Sequence, residues 1–309
     1  MWSLRKISLI HDFNIQMKRF SLKHTWTIAK YHMRFSLRSG GGIVFLFMSV
    51  LSAIVVAAIF ITPVEAIVGV EGANNLGGTV DIIKEISGSS VAQNAVNWLL
   101  DSKDQGKYLL SEKPALLSCI MLVLLMLLPY LVCFGAFNQT TSDIANKGLR
   151  FLLLRTERVN IYLGRFLGTV IFSFTTVVLS MMMLVLYIQF KLGIYTGVDL
   201  WLWSIQGGLS YFMLSLPFVA LCAWVSSVFE SPFGSLLVCM MMVGLPVIFL
   251  KILNRYVEID SLDKFWPTGW KFGILHSELS NVIMSIGALL IFTVVFLLLG
   301  LRGFQKRDL

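Results

Sequence analysis

Charge is scarce in this 309-residue chain, at 14% Asp, Glu, Lys and Arg against 57% hydrophobic residues, and the mean hydropathy is +0.80. A water-soluble domain carries about 25% charged residues. The sequence therefore cannot coat two soluble domains with polar surface, and reads as a single membrane domain over residues 1–309 with modest loops. Cysteine is scarce as well. Cys119, Cys133, Cys222 and Cys239 all lie inside apolar runs, with no paired loop cysteines and no CxxC. That pattern argues for small buried hydrophobes over a disulfide framework or a metal site. No GxxxxGK(S/T) phosphate loop occurs, so the usual ATP cradle is missing from the chain. Residues 1–38 hold eight Lys/Arg and no apolar core long enough to be cleaved, which argues against a signal peptide.

Long hydrophobic runs are what the chain has in abundance. A bilayer core of about 30 Å needs about 20 apolar helical residues. Six stretches free of Lys, Arg, Asp and Glu satisfy this: Ser39–Val64, Pro114–Ser142, Phe166–Phe190, Leu200–Phe229, Ser231–Leu250 and Leu279–Leu301. Only Glu230–Pro232 separates the fourth from the fifth, which predicts a tight helical hairpin. Pro129, Pro217 and Pro246 fall within spans, where packed neighbours tolerate a kink.

Charge then orients the spans. With the N-terminus inside, residues 1–42, 138–165, 230–232 and 302–309 carry 16 Lys/Arg against five acids, and the remaining segments carry 9 against 12. Arg34, Arg38, Arg150, Arg155, Arg158, Arg165, Arg302, Lys306 and Arg307 flank the inner ends, as the positive-inside rule requires. The expected fold is an all-α, multi-pass protein of a bacterial cytoplasmic (inner) membrane, with both termini in the cytoplasm. The basic excess sits at span ends, so its partner is the anionic lipid bilayer and not nucleic acid.

Within residues 1–42, apolar and basic residues interleave from Lys18 to Arg38. This predicts an amphipathic helix in the inner interface, anchored by Trp26, Lys30, Arg34 and Arg38, with Gly40–Gly42 as the bend into the first span. Residues 65–113 form the largest external segment, and Val80–Leu100 has the apolar spacing of one or two short helices. Residues 251–280, with Trp266, Pro267 and Trp270, form a second external loop. Each is either a cap or a contact for substrate or a periplasmic partner.

The loop at 138–165 is the most informative. Thr141 or Ser142 is placed to cap a short helix beginning near Asp143, whose carboxylate favours a first turn. Gly148 is placed to end or bend it. Leu149, Phe151, Leu152, Leu153 and Leu154 form an apolar run too short to span, ringed by Arg155, Arg158 and Arg165. A short helix of this kind could transmit force from a soluble partner.

In this loop the sequence resembles the type-two ABC exporter permeases. Asp143, Gly148-Leu149, Leu152-Leu153-Leu154 and Arg158 match, in order, that family's acidic-residue, Gly-Thr-Leu, Leu-Leu, Pro-x-x-Arg pattern. Leu163-Gly164-Arg165 resembles its Gly-Lys start of the third span, and Phe304 to Asp308 its basic tail. The departures are Leu149 in place of threonine and Arg155-Thr156 in place of a Ser/Thr-Pro pair. The resemblance implies a transmembrane permease subunit with a cytoplasmic coupling helix between spans two and three. It also implies two copies of the permease, likewise two of a separate cytoplasmic ATPase, and ATP and Mg held by that partner. Asp143, Lys147, Gly148, Leu149, Arg150, Arg155, Glu157 and Arg158 would receive the ATPase's motion.

Other classes fit less well. Intramembrane catalysis needs ionisable groups at depth, yet His11, His24, His32 and His276 all lie outside the six runs. Gly207-Gly208-Leu209-Ser210 therefore has no base, and the chain itself is not expected to be an enzyme. An ion-coupled secondary transporter or channel is the main alternative, since the prolines leave a broken helix open. A passive scaffold fits six closely linked spans poorly. Met181–Met183 and Met240–Met242 would suit an apolar cargo path, but such residues more often face lipid or neighbouring helices.

Overall fold

The computed structural model describes residues 21–70, 100, 103–192, 197–257 and 262–307. These residues are helical throughout, with turns and no strand among them. In chain order the helices are α1 (Leu22–Arg38), α2 (Gly40–Val70), α3 (Lys103–Lys107), α4 (Ala115–Ala136), α5 (Thr141–Ala145), α6 (Leu149–Leu153), α7 (Arg158–Leu192), α8 (Gly197–Val228), α9 (Pro232–Val257) and α10 (Leu279–Gln305). Six of them, α2, α4, α7, α8, α9 and α10, are long and apolar enough to cross a membrane. The fold thus fits a multi-pass membrane protein.

These helices outrun the apolar runs that mark them. An α-helix rises 1.5 Å per residue, and charged turns at either end stay helical once a packed apolar stretch has nucleated them. α7 accordingly starts at Arg158 and α2 continues through Pro63 to Val70. Pro114 and Pro232 stand at helix starts, where proline's missing N–H costs nothing. The fourth and fifth spans are joined by Phe229–Ser231 alone, as the charge pattern predicts.

α4 and α8 form the centre. In their most apolar stretches 72% and 67% of residues are buried, against 11% for α9, 22% for α10 and 28% for α2. Successive spans alternate in direction. At one end Lys191 pairs with Glu65 at 3.3 Å. At the opposite end lie α5 and α6, the α8–α9 hairpin and the close of α10. The segment after α9 forms short 3-10 turns at Leu262–Phe265, Pro267–Trp270 and Gly273–Leu275. Gln105 donates from Nε2 to the Phe272 carbonyl at 2.7 Å, tying this segment to the one before α4. The amphipathic helices expected over Val80–Leu100 fall, apart from helical Leu100, outside the described residues.

One expectation is corrected at the first elbow. The glycine triplet does not form the bend, because α2 begins at Gly40. The break is Ser39, with extended backbone (φ −76°, ψ 144°). Gly42 serves the elbow differently, since a Cβ there would strike the Ser36 carbonyl oxygen.

α1 lies along the first turns of α7 through Thr25, Ala29, His32 and Ser36, which are its buried residues. Opposite them stand Gly164 and Gly168. A Cβ on Gly164 would lie 2.8 Å from Ile28 Cβ, and one on Gly168 would lie 2.6 Å from the Ala29 carbonyl oxygen. Two glycines four residues apart thus let the backbones approach as small-residue seams do in membrane bundles.

Candidate functional site

The loop between α4 and α7 is built from two short helices. α4 ends at Ala136, and Asn138 Oδ1 accepts the Ser142 N–H at 2.9 Å. Asn138 therefore satisfies a first-turn N–H of α5, while neither Thr141 nor Ser142 acts as the cap. α5 starts at Thr141, two residues before Asp143. Its end is also displaced from expectation. Lys147, not Gly148, takes the left-handed backbone, with φ 55°. Such a conformation costs a non-glycine residue about 1–2 kcal/mol and persists only where surrounding contacts impose it.

The segment leading into α5 is anchored by buried polar contacts. Arg165, on α7, is 9% exposed. It donates from Nη1 to the Gln139 carbonyl at 2.6 Å and pairs through Nη2 with the Asp143 carboxylate. Gln139 Nε2 donates to the Val219 carbonyl at 3.0 Å. Thr140 Oγ1 donates to the Ser226 carbonyl at 2.8 Å, and Thr141 Oγ1 lies 3.3 Å from the same oxygen. Ser235 Oγ donates to the Phe137 carbonyl at 2.8 Å. The loop is fastened to α7, α8 and α9 before it reaches α6.

Its outward side is different in character. Ile144 and Leu149 are buried, but Phe151 is 76% and Leu154 84% exposed. Lys147, Arg150 and Arg155 are exposed around them. Beside this knob is a notch of about 600 Å³, lined by Ser21, His24, Arg155, Thr156, Glu157 and Asn160 among others. The arrangement offers an apolar knob with a cationic rim next to a concave surface.

The eight residues singled out in this loop divide accordingly. Lys147, Gly148, Leu149 and Arg150 flank or begin α6, and Arg155 and Glu157 line the notch. Asp143 faces α7. Arg158 turns toward α10, where its Nη1 donates to the Gln305 and Arg307 carbonyls at 2.7 Å each. Those carbonyls close a helix C-terminus, where a cation is favoured by the dipole. On α1, Trp26 (61% exposed), Lys30, Arg34 and Arg38 are all exposed at i, i+4 spacing, forming a stripe away from α7.

Several residues escaped the sequence reading. Asn160, 1% exposed, accepts the Ser21 N–H at 3.1 Å and faces the Thr25 hydroxyl at 3.3 Å. His32 Nε2 lies 3.1 Å from Thr169 Oγ1, whose hydroxyl donates to the Arg165 carbonyl. Burial, with Arg165 nearby as a lesser cause, pushes the His32 imidazole down to about 3. A signal for this seam was present, since Thr25, Ala29, His32 and Ser36 recur at helical spacing opposite a Gly-x-x-x-Gly.

On the outer face of the bundle, Phe174, Val177, Met181, Met182, Trp201 and Gly208 line an open apolar groove of about 370 Å³ between α7 and α8. Cys133 and Cys222 are fully buried with Sγ atoms 4.0 Å apart, and the Cys133 thiol donates to the Pro129 carbonyl. No family model matches the chain, and no curated protein matches it.

Proposed function

We propose that this chain is the membrane-spanning permease subunit of an ABC exporter, driven by a separate cytoplasmic ATPase that docks on α5 and α6. The observation that carries the reading is the exposed Phe151 and Leu154, ringed by Lys147, Arg150 and Arg155, in the loop joining the second span to the third. Large apolar side chains outside the spans and beside a notch suit a soluble protein with an apolar socket and an acidic rim. The loop's resemblance to the coupling segment of type-two exporter permeases agrees with this placement, as does the basic charge at that end.

On this reading the α5–α6 end faces the cytoplasm of a bacterial inner membrane, and α1 sets its Trp26, Lys30, Arg34 and Arg38 stripe against anionic headgroups. The chain pairs with a second copy of itself. Its least covered spans, α9 among them, leave apolar faces for that copy and for lipid. ATP and Mg belong to the ATPase, and its closure pushes α5 and α6 to open the path. Co-expression with the ATPase encoded beside the gene tests this. A two-plus-two complex that hydrolyses ATP supports the reading.

One observation favours the alternative of an ion-coupled transporter. The Asp143–Arg165 pair places ionisable groups at the end of the bundle, with Arg165 inside α7, and such groups mark ion pathways when they line one. Proton- or sodium-dependent uptake by the chain alone in vesicles, abolished by Asp143→Asn, would support it.

A further inference from the structure

We propose that Arg165 is the positioning residue of the coupling loop: one buried guanidinium holds both ends of residues 139–143, so that α5 is presented as a rigid strut and not as a flexible loop. The geometry is specific. Nη1 takes the Gln139 carbonyl at 2.6 Å and Nη2 takes the Asp143 carboxylate, which spans the first turn of α5 from its approach to its middle. A planar guanidinium can hold two acceptors in fixed directions, where an ammonium serves as a point charge.

The strut has a second footing. Thr140 and Thr141 reach the Ser226 carbonyl near the end of α8, and Gln139 Nε2 reaches Val219 on the same helix. Displacement of α5 must then either carry α8 with it or break bonds sheltered from water. The neighbours of Arg165 are consistent with a fixed role. Asp143 is the acid that faces it, and His32 stands on the α1 side, joined to it through Thr169. Removing the carboxylate would leave a buried cation uncompensated, which is costly.

This deepens the coupling reading and rests on it for its consequence, though its test does not. The full chain in lipid nanodiscs is digested with trypsin, and cleavage rates are compared after Lys147 and Arg150 in the loop and after Lys30 and Lys306 elsewhere. Asp143→Asn and Arg165→Met should each speed loop cleavage about tenfold or more and leave the other two sites within about twofold. The double variant should match the single ones, and Arg165→Lys, which keeps the charge but cannot hold both acceptors in fixed directions, should recover only part of the protection.

Unchanged loop cleavage, rates that multiply in the double variant, or an equal rise at every site in Asp143→Asn would overturn the proposal. Should Arg165→Met open every site, the nearly isosteric Asp143→Asn decides. Failure here with the ATPase still bound leaves the coupling reading without its strut. A protected loop that binds no ATPase leaves a rigid loop made for another partner.

Discussion

Arg158, at the first turn of α7, closes the last turn of α10 by donating to the carbonyl of Gln305 at 2.7 Å, and the same nitrogen reaches the Arg307 carbonyl at the same distance. Arg307 in turn donates to the Ser227 and Val228 carbonyls at the end of α8 and pairs with Glu230 at 2.6 Å. Two arginines thus staple three helix ends together. Arg158→Ala should cost about 1–2 kcal/mol, the range of a charge-assisted bond in a half-buried place. Thermal unfolding in lipid nanodiscs checks this, with faster amide exchange expected at 300–305. Arg155→Ala, at an exposed position, should shift stability by less than about 0.5 kcal/mol.

The α1–α7 seam depends on absent side chains. A Cβ at position 168 would press on the Ala29 carbonyl oxygen and on His32 Cβ, at 2.6 and 2.9 Å. Gly168→Leu should cost about 1–3 kcal/mol, as overpacking does. Its effect should be local, so tryptic cleavage after Lys23 and Lys30 should rise while cleavage after Lys147 stays unchanged.

Acid should loosen the same seam. The folded state holds His32 neutral, with its pKa lowered to about 3 from an ordinary 6.5. A depressed histidine pKa contributes stability that is complete above about 6.5 and is lost as pH falls through the window toward 3. The slope is about 1.4 kcal/mol per pH unit at most. Between pH 7 and pH 5, the protection factors of amides across 22–38, taken relative to the slower intrinsic exchange in acid, should therefore fall, and His32→Gln should flatten that dependence.

The apolar knob should matter for association and not for folding. Phe151→Glu and Leu154→Glu alter side chains that are 76% and 84% exposed, so the unfolding temperature should stay within about 2 °C, as for surface changes. Binding of the ATPase should fall by tenfold or more, because an apolar anchor at the centre of an interface carries much of its energy. A pull-down with each variant measures this directly.

The six long helices were legible because each apolar run is long enough to span and no other environment accepts such runs. The short loop helices were legible in place but not in detail. Glycine at 148 is the natural candidate for a left-handed backbone, yet it is Lys147 that adopts it, with φ 55°. Arg165 was read as one more basic residue at a span end, since sequence distance does not reveal that Gln139 and Asp143 fold back onto it. The interleaved apolar and basic residues of α1 point to a helix in the inner interface with its basic face on lipid phosphates, and do not reveal the protein seam on its other side. Lys30 and Arg34 do stay outside, but His32 and Thr25 turn inward onto Asn160 and Thr169. Helical periodicity shows that a helix has two sides, and only packing shows which one is covered.

The central claim is that α5 and α6 receive a separate ATPase, and the most direct measurement is its affinity for the purified chain in nanodiscs. A stable complex that hydrolyses ATP is expected, weakened tenfold or more by Phe151→Glu or Leu154→Glu and unaffected by charge changes at Lys264. If no ATPase binds the wild-type chain, while the chain alone moves ions or solute across vesicles, the account is contradicted and the ion-coupled reading takes its place.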